Sequence, residues 1–177
     1  MSWPRVLLAT ALIAVSPPAR ANDFGRSPSQ EEIRLWDIDV LPDGRGLPAG
    51  SGTVAQGKEV FEQNCAACHG EGGQGGLKDR LVGGQGTLAT AKPIKTVGSF
   101  WPYATTLFDY IRRAMPYPAP GSLTADETYA VAAYILSLNG VVPADAVLSR
   151  ETLPQVRMPN RDGFVPEPDV TRITNSR

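Results

Sequence analysis

Cys65-Ala66-Ala67-Cys68-His69 holds both cysteines of the chain and its single histidine. The first reading that two cysteines invite in an exported protein is a structural disulfide. Joining residues three apart closes so small a loop that the unfolded chain is barely constrained. A thioredoxin-type redox pair needs a βαβ setting, and no alternating, strand-like run precedes Cys65. C-x-x-C-H is also the attachment pattern of a c-type haem. Two thiols one helical turn apart can add to the two vinyl groups of one haem. His69, next in line, is then placed at the iron, and His is a standard ligand there. One covalent haem on Cys65 and Cys68, with its iron on His69, is therefore expected.

With one histidine in the chain, ligation by two histidines is excluded, as is a spare imidazole for distal acid catalysis. Methionine is the usual alternative sixth ligand in cytochromes c. After Met1 the candidates are Met115 and Met158. Met115 lies just past a helix-like segment, in Ala114-Met115-Pro116-Tyr117-Pro118, where the prolines enforce an extended chain. Such a segment can lay a thioether across an open haem face. Met158 also precedes a proline but follows the last expected helix, so Met115 is preferred on position. Methionine is more often core filler than ligand, and that is the plainer reading of Met115.

Outward from the motif, Val54, Gly57, Val60, Phe61 and Asn64 recur at helical spacing and predict a helix running into the Cys pair. Gly57 costs about 1 kcal/mol against Ala in such a helix, which close contact with another helix would justify. The expected partner is Thr124 to Leu138. Thr124 and Glu127 form a T-x-x-E capping box, and Gly140 stands just past the end. Its apolar stripe, Tyr129, Ala132, Ala133, Ile135 and Leu136, widens through Val131, Tyr134 and Leu138 and predicts burial. Gly70 to Lys95 is Gly-rich and without pattern. So long a loop is usually functional, and wrapping a haem edge would explain it. Phe100, Trp101 and Tyr103 lead into a middle helix, Thr105 to Ala114, with Leu107, Phe108, Tyr110 and Ile111 on its apolar side. An aromatic cluster is most often core; around a haem it would also form a wall. Arg112 and Arg113 read as a solvated face more than as partners of haem propionates.

Both ends read differently from the centre. Arg5, the apolar run Val6 to Val15 and Ala19-Arg20-Ala21 form a secretory signal over 1–21. A membrane anchor needs about 20 apolar residues, and Pro17 and Pro18 end the run early. Residues 22–51 form a polar, Pro-punctuated N-terminal arm. Its one helical candidate, Ser29 to Trp36, offers Ile33, Leu35 and Trp36 to dock on the main domain. The domain itself is assigned to 52–140 and an extended C-terminal tail to 141–177. Of 17 Lys and Arg against 18 Asp and Glu, cleavage after Ala21 removes Arg5 and Arg20, leaving a net charge of −3. That is no basic face for nucleic acid. No other apolar stretch reaches membrane length, so no membrane attachment is expected after cleavage, and the location implied is periplasmic.

Gly57, Phe61, Cys65-x-x-Cys68-His69, Met115-Pro116 and Val131-x-x-Tyr134 together resemble a class I cytochrome c. The resemblance implies an all-α fold of three to five helices around one covalently bound haem, here with extended N- and C-terminal arms. In that family the first and last helices cross through such a Gly/aromatic contact. A narrower resemblance runs from Asp37 to about Gly163. It is carried by Trp36-Asp37-Ile38-Asp39-Val40, by Thr96 to Pro116 (TVGSFWPYATTLFDYIRRAMP) and by Met158-Pro159-Asn160-Arg161-Asp162-Gly163. These segments are similar to the cytochrome subunit of Sox-type sulfane (sulfite) dehydrogenases. That likeness implies Met115 as the distal ligand and a molybdenum-cofactor partner subunit that oxidises a sulfur compound. It also implies a downstream cytochrome acceptor. Some members of that family carry two haems; this chain has one C-x-x-C-H.

Two other functions use the same residues. A freely diffusing carrier would need little beyond the haem domain. A haem enzyme or sensor with an open iron site would require Met115 to stay off the iron. The chain on its own is read as an electron-transfer subunit rather than a catalyst.

Overall fold

Thr53 and Thr124 start the two helices that organise the fold, and each does so through a reciprocal capping box. Thr53 Oγ1 accepts from the Gln56 N–H while Gln56 Oε1 accepts from the Thr53 N–H. Thr124 and Glu127 repeat the exchange. Each box satisfies N–H groups that a helix start leaves without partners. The computed structural model describes residues 25–165. The elements in order are α1 (Gln30–Trp36), β1 (Ser51–Thr53), α2 (Val54–Asn64), α3 (Ala66–His69), α4 (Ala104–Ala114), α5 (Ala125–Leu138) and β2 (Val147–Ser149), followed by a 3-10 turn at Leu153–Gln155. The expected signal, 1–21, and the last residues of the tail, 166–177, lie outside the described residues.

The chain divides into two units at Trp36. In the first, α1 carries its own capping box: the Ser29 N–H donates to Glu32, and the Glu32 N–H donates to Ser29 Oγ. Arg26 pairs with Glu32 and, with the Ser29 bonds, holds that carboxyl down at about 2. No residue of α1 is buried; Ile33, Leu35 and Trp36 are exposed.

In the second unit, α5 is apolar on most sides, and eight of its 14 residues are buried. A helix of that kind must be covered nearly all round. α2 covers one side most extensively, and β1, α4 and β2 cover others. At the crossing, a Cβ on Gly57 would lie 1.8 Å from the Ala130 carbonyl oxygen and 2.8 Å from Tyr134 Cβ. The helices therefore meet backbone against backbone, the close contact that the glycine implied, with Ala130 rather than Val131 beneath it. Gly140, at φ +67°, turns the chain just after α5.

The mostly helical expectation holds, with one addition. β1 and β2 form an antiparallel ladder that pairs Ser51 with Ser149, Gly52 with Leu148 and Thr53 with Val147. Three-residue strands are too short to show a period of two, so no alternation announces them. The core also draws on residues either side of 52–140: Val40 and Leu47 before it, and Leu148, Leu153 and Met158 after it. Hydrogen bonds fasten these flanks, from Tyr129 Oη to Pro48 O at 2.8 Å and from Arg150 Nε to Leu47 O at 2.8 Å.

Candidate functional site

Cys65 ends α2 and begins α3, so the motif is built on a sharp joint between two helices. Its N–H donates back to Phe61 O at 2.8 Å, and its carbonyl accepts from Cys68 and His69 at 3.1 and 3.0 Å. One turn of helix thus carries Cys65, Cys68 and His69 together before Gly70 leaves the helix. Neither cysteine is in a disulfide, and both are half-buried. Burial, with a smaller push from Cys68, raises the Cys65 thiol to about 11. At neutral pH it is therefore a protonated thiol in an apolar setting, not a thiolate.

The imidazole is fixed by one bond. His69 Nδ1 lies 2.7 Å from the carbonyl oxygen of Asp79. A carbonyl can only accept, so Nδ1 carries the proton and the lone pair is on Nε2. Metal-ligating histidines are commonly oriented by such a bond from the other ring nitrogen.

Met115 follows α4 as its cap, with its N–H on Ile111 O at 3.0 Å. Its backbone is extended, at φ −125° and ψ 149°, as the following proline favours. The side chain is half-buried against the core. Met158, in contrast, is 1% exposed and belongs to the core outright. Lys78, beside Asp79, has its Nζ 6.0 Å from the centre of the Tyr117 ring, two residues past Met115. The loop that holds His69 and the loop that follows Met115 are thereby neighbours.

The aromatic residues divide between core and surface. Leu107, Phe108 and Ile111 enter the core, whereas Tyr110, expected beside them, is exposed. Its ring meets Trp101 edge-on, with centroids 5.7 Å apart. Cys65, Ala66, Leu81, Trp101, Met115 and Leu123 pack on the core while keeping part of their apolar surface uncovered. Two free thiols at this spacing, an imidazole with Nε2 unspoken for and half-covered apolar side chains fit a c-type haem. Arg113 is exposed, as a solvated helix face implies, and it also has a task that the sequence did not suggest. It pairs with Asp109 and, at 3.1 Å, with Asp39, and Asp109 Oδ1 accepts the Val40 N–H at 3.1 Å. This network fastens the segment after Trp36 onto α4.

Three features had no signature in the sequence. The Asp79 carbonyl is backbone, and any residue would supply it. Asn139 lies between the expected helix end, Leu138, and Gly140, outside any pattern. The tail's grip on the aromatic segment, with Arg161 4.3 Å over the Tyr103 ring and Asn160 Nδ2 2.7 Å from Phe100 O, joins residues far apart in sequence.

The family model for cytochrome c matches residues 54–139. Over 101 residues the chain is 38% identical to the CcoP subunit of a cbb3-type cytochrome c oxidase from Azospirillum sp. (strain B510), covering 54% of this chain and 32% of that protein. It is 32% identical over 92 residues to thiosulfate dehydrogenase from Stutzerimonas stutzeri (strain A1501), covering 51% of this chain and 29% of that one. The chain thus spans about a third of the length of these curated relatives. Among solved structures it is similar to a chain of the sulfane dehydrogenase SoxCD from Paracoccus pantotrophus. The identity there is 45% and the TM-score 0.78, over 87% of this chain and 77% of that one.

Proposed function

The chain belongs to the cytochrome c family, with a single C-x-x-C-H for one covalent haem c, and from that premise we propose that it is the haem subunit of a periplasmic, molybdenum-dependent sulfite or sulfane dehydrogenase. It passes electrons from that partner to a downstream cytochrome. The observation that supports the haem site is the His69 bond to Asp79 O, which leaves the Nε2 lone pair free to hold an iron. The sulfur reading is supported by the 45% likeness to a sulfane dehydrogenase chain and by the thiosulfate dehydrogenase relative.

In this reading Cys65 and Cys68 would hold the haem covalently, each through a thioether to one of its vinyl groups. When bound, the haem supplies one-electron exchange between ferric and ferrous iron. His69 would hold the iron through Nε2, its ring kept in place by Asp79 O. Met115, at the extended exit of α4, would hold it through its thioether, while Met158 is spent in the core. With His69 and Met115 both on the iron, the group would exchange electrons and bind no substrate. Of the arms, 22–51 and 141–177, the parts left outside the core dock the partner, to which Leu35 and Trp36 offer exposed apolar surface. Among the described residues no helix is long and apolar enough to cross a membrane.

The test is made on protein isolated gently from its native host. Co-purifying molybdenum is assayed, then sulfite or thiosulfate is added while the haem spectrum is followed. Rapid reduction with molybdenum present is the expected result. A haem that stays oxidised, in a preparation free of molybdenum, would overturn the dehydrogenase reading in favour of a diffusing carrier.

A further inference from the structure

His69 can keep Nε2 aimed only if the carbonyl it donates to stays in place. Asp79 lies in a stretch, 70–95, with no helix or strand, so its position must be fixed by bonds from elsewhere. On one side the Lys78 N–H donates to Cys68 O at 2.9 Å; on the other the Leu81 N–H donates to Gly73 O at 2.8 Å. The Leu81 carbonyl is in turn held by Asn139, the cap residue of α5, whose Nδ2 donates to it at 3.1 Å.

An Asn side chain has two N–H donors and two lone pairs, and Asn139 uses all four. Nδ2 also donates to Ile135 O at 2.9 Å, and Oδ1 accepts from the Gly83 N–H at 3.2 Å and from Gln85 Nε2 at 3.3 Å. Gln85 Nε2 reaches the Asn139 backbone carbonyl as well, at 3.2 Å. A third segment closes over this hub: a Cβ on Gly98 would lie 2.2 Å from Asn139 Oδ1. Asp would match Asn139 in shape but has no donor for the two carbonyls. Gln would be too long for the same four partners.

We infer that Asn139 is a positioning residue for His69: it pins Leu81 to Gln85 against the end of α5 and so holds the Asp79 carbonyl at the imidazole. The inference rests on His69 being the iron ligand proposed above.

The readout is the rate at which the His69 Nδ1 proton exchanges with deuterium in the reduced holoprotein, followed by NMR. Asn139→Ala is expected to speed that exchange at least tenfold beyond the change in the global unfolding constant, which chemical denaturation measures separately. A rise no larger than that change would overturn the inference. Should the variant fail to fold, the unmodified holoprotein decides. The Gly83 N–H, which Asn139 holds, and the His69 Nδ1 proton should then share one protection and one denaturant dependence. Unrelated dependences would sink the idea. Loss of the underlying reading shows separately, as an unmodified preparation without covalently bound haem.

Discussion

The ring of Phe61 on α2 meets the ring of Tyr134 on α5 edge-on, with centroids 5.3 Å apart and planes 60° from each other. Phe61 is fully buried and Tyr134 half-buried, so the pair seals the helix crossing immediately before Cys65. Such pairs contribute about 0.5–1.5 kcal/mol beyond the area they bury. Their separation depends on Gly57, one turn earlier, letting α2 approach α5.

Gly57→Ala therefore sets two effects against each other. Replacing a mid-helix glycine by alanine gains about 1 kcal/mol of helix propensity. Overpacking a tight contact costs about 1–3 kcal/mol and occasionally more. A Cβ 1.8 Å from the Ala130 oxygen is far inside van der Waals contact, and the obstacle is backbone, so the helices must part. The variant is expected to lose stability, read as a lower guanidinium midpoint. A midpoint at or above that of the unmodified protein would contradict the crossing geometry.

The two methionines should separate cleanly in experiment. Met115→Ala is expected to open the iron, so that the reduced protein binds carbon monoxide that the unmodified protein takes up poorly. Met158→Ala is expected to leave ligand binding alone but to lose about 2–5 kcal/mol of stability, the range for large-to-small changes at a packed site. Carbon monoxide titration and chemical denaturation of both variants check this. Carbon monoxide binding by the Met158 variant alone would exchange their roles.

The helices were legible because their signals are local. Capping boxes at Thr124 and a helical apolar period are set within a few residues, and the structure places α2, α4 and α5 within a residue or so of the expected bounds. The motif was legible for the same reason, since Cys65, Cys68 and His69 occupy one turn. The tail was not. Met158-Pro159-Asn160-Arg161 looks polar and Pro-broken, yet Met158 enters the core and Arg161 stacks on Tyr103. Pairings of that separation are decided by the assembled surface, which no local period records. The misplacement of Tyr110 has a similar cause: the apolar stripe of α4 was read as one face, and only packing divides core from rim.

Asp109 tests how the segment after Trp36 is held. It is 8% exposed and accepts from both Val40 and Arg113. Hydrogen bonds to charged groups contribute about 1.5–3 kcal/mol, and the half-exposed Arg113 argues for the lower end. Asp109→Ala should cost about 2 kcal/mol, for the same reason. Asp109→Asn keeps an acceptor for the Val40 N–H and should cost less. Denaturation curves measure the order, and exchange at the Val40 N–H should quicken most in the alanine variant. Equal effects of the two substitutions would mean that the Val40 bond contributes nothing.

Tyr129 gives the fold an alkaline limit. The residue is fully buried, its hydroxyl donates to Pro48 O at 2.8 Å, and burial chiefly pushes its ionisation up to about 12. The unfolded phenol ionises near 10. Above that pH the unfolded chain holds fewer protons than the folded one, so stability falls as pH rises. The contribution is complete below about pH 10 and lost as pH climbs through about 12, on the order of 2 kcal/mol in all. Phe at this position has no proton to lose. Denaturant midpoints measured from pH 9 to 12 should therefore fall less steeply for Tyr129→Phe than for the unmodified protein. Parallel slopes would place the alkaline sensitivity on another group.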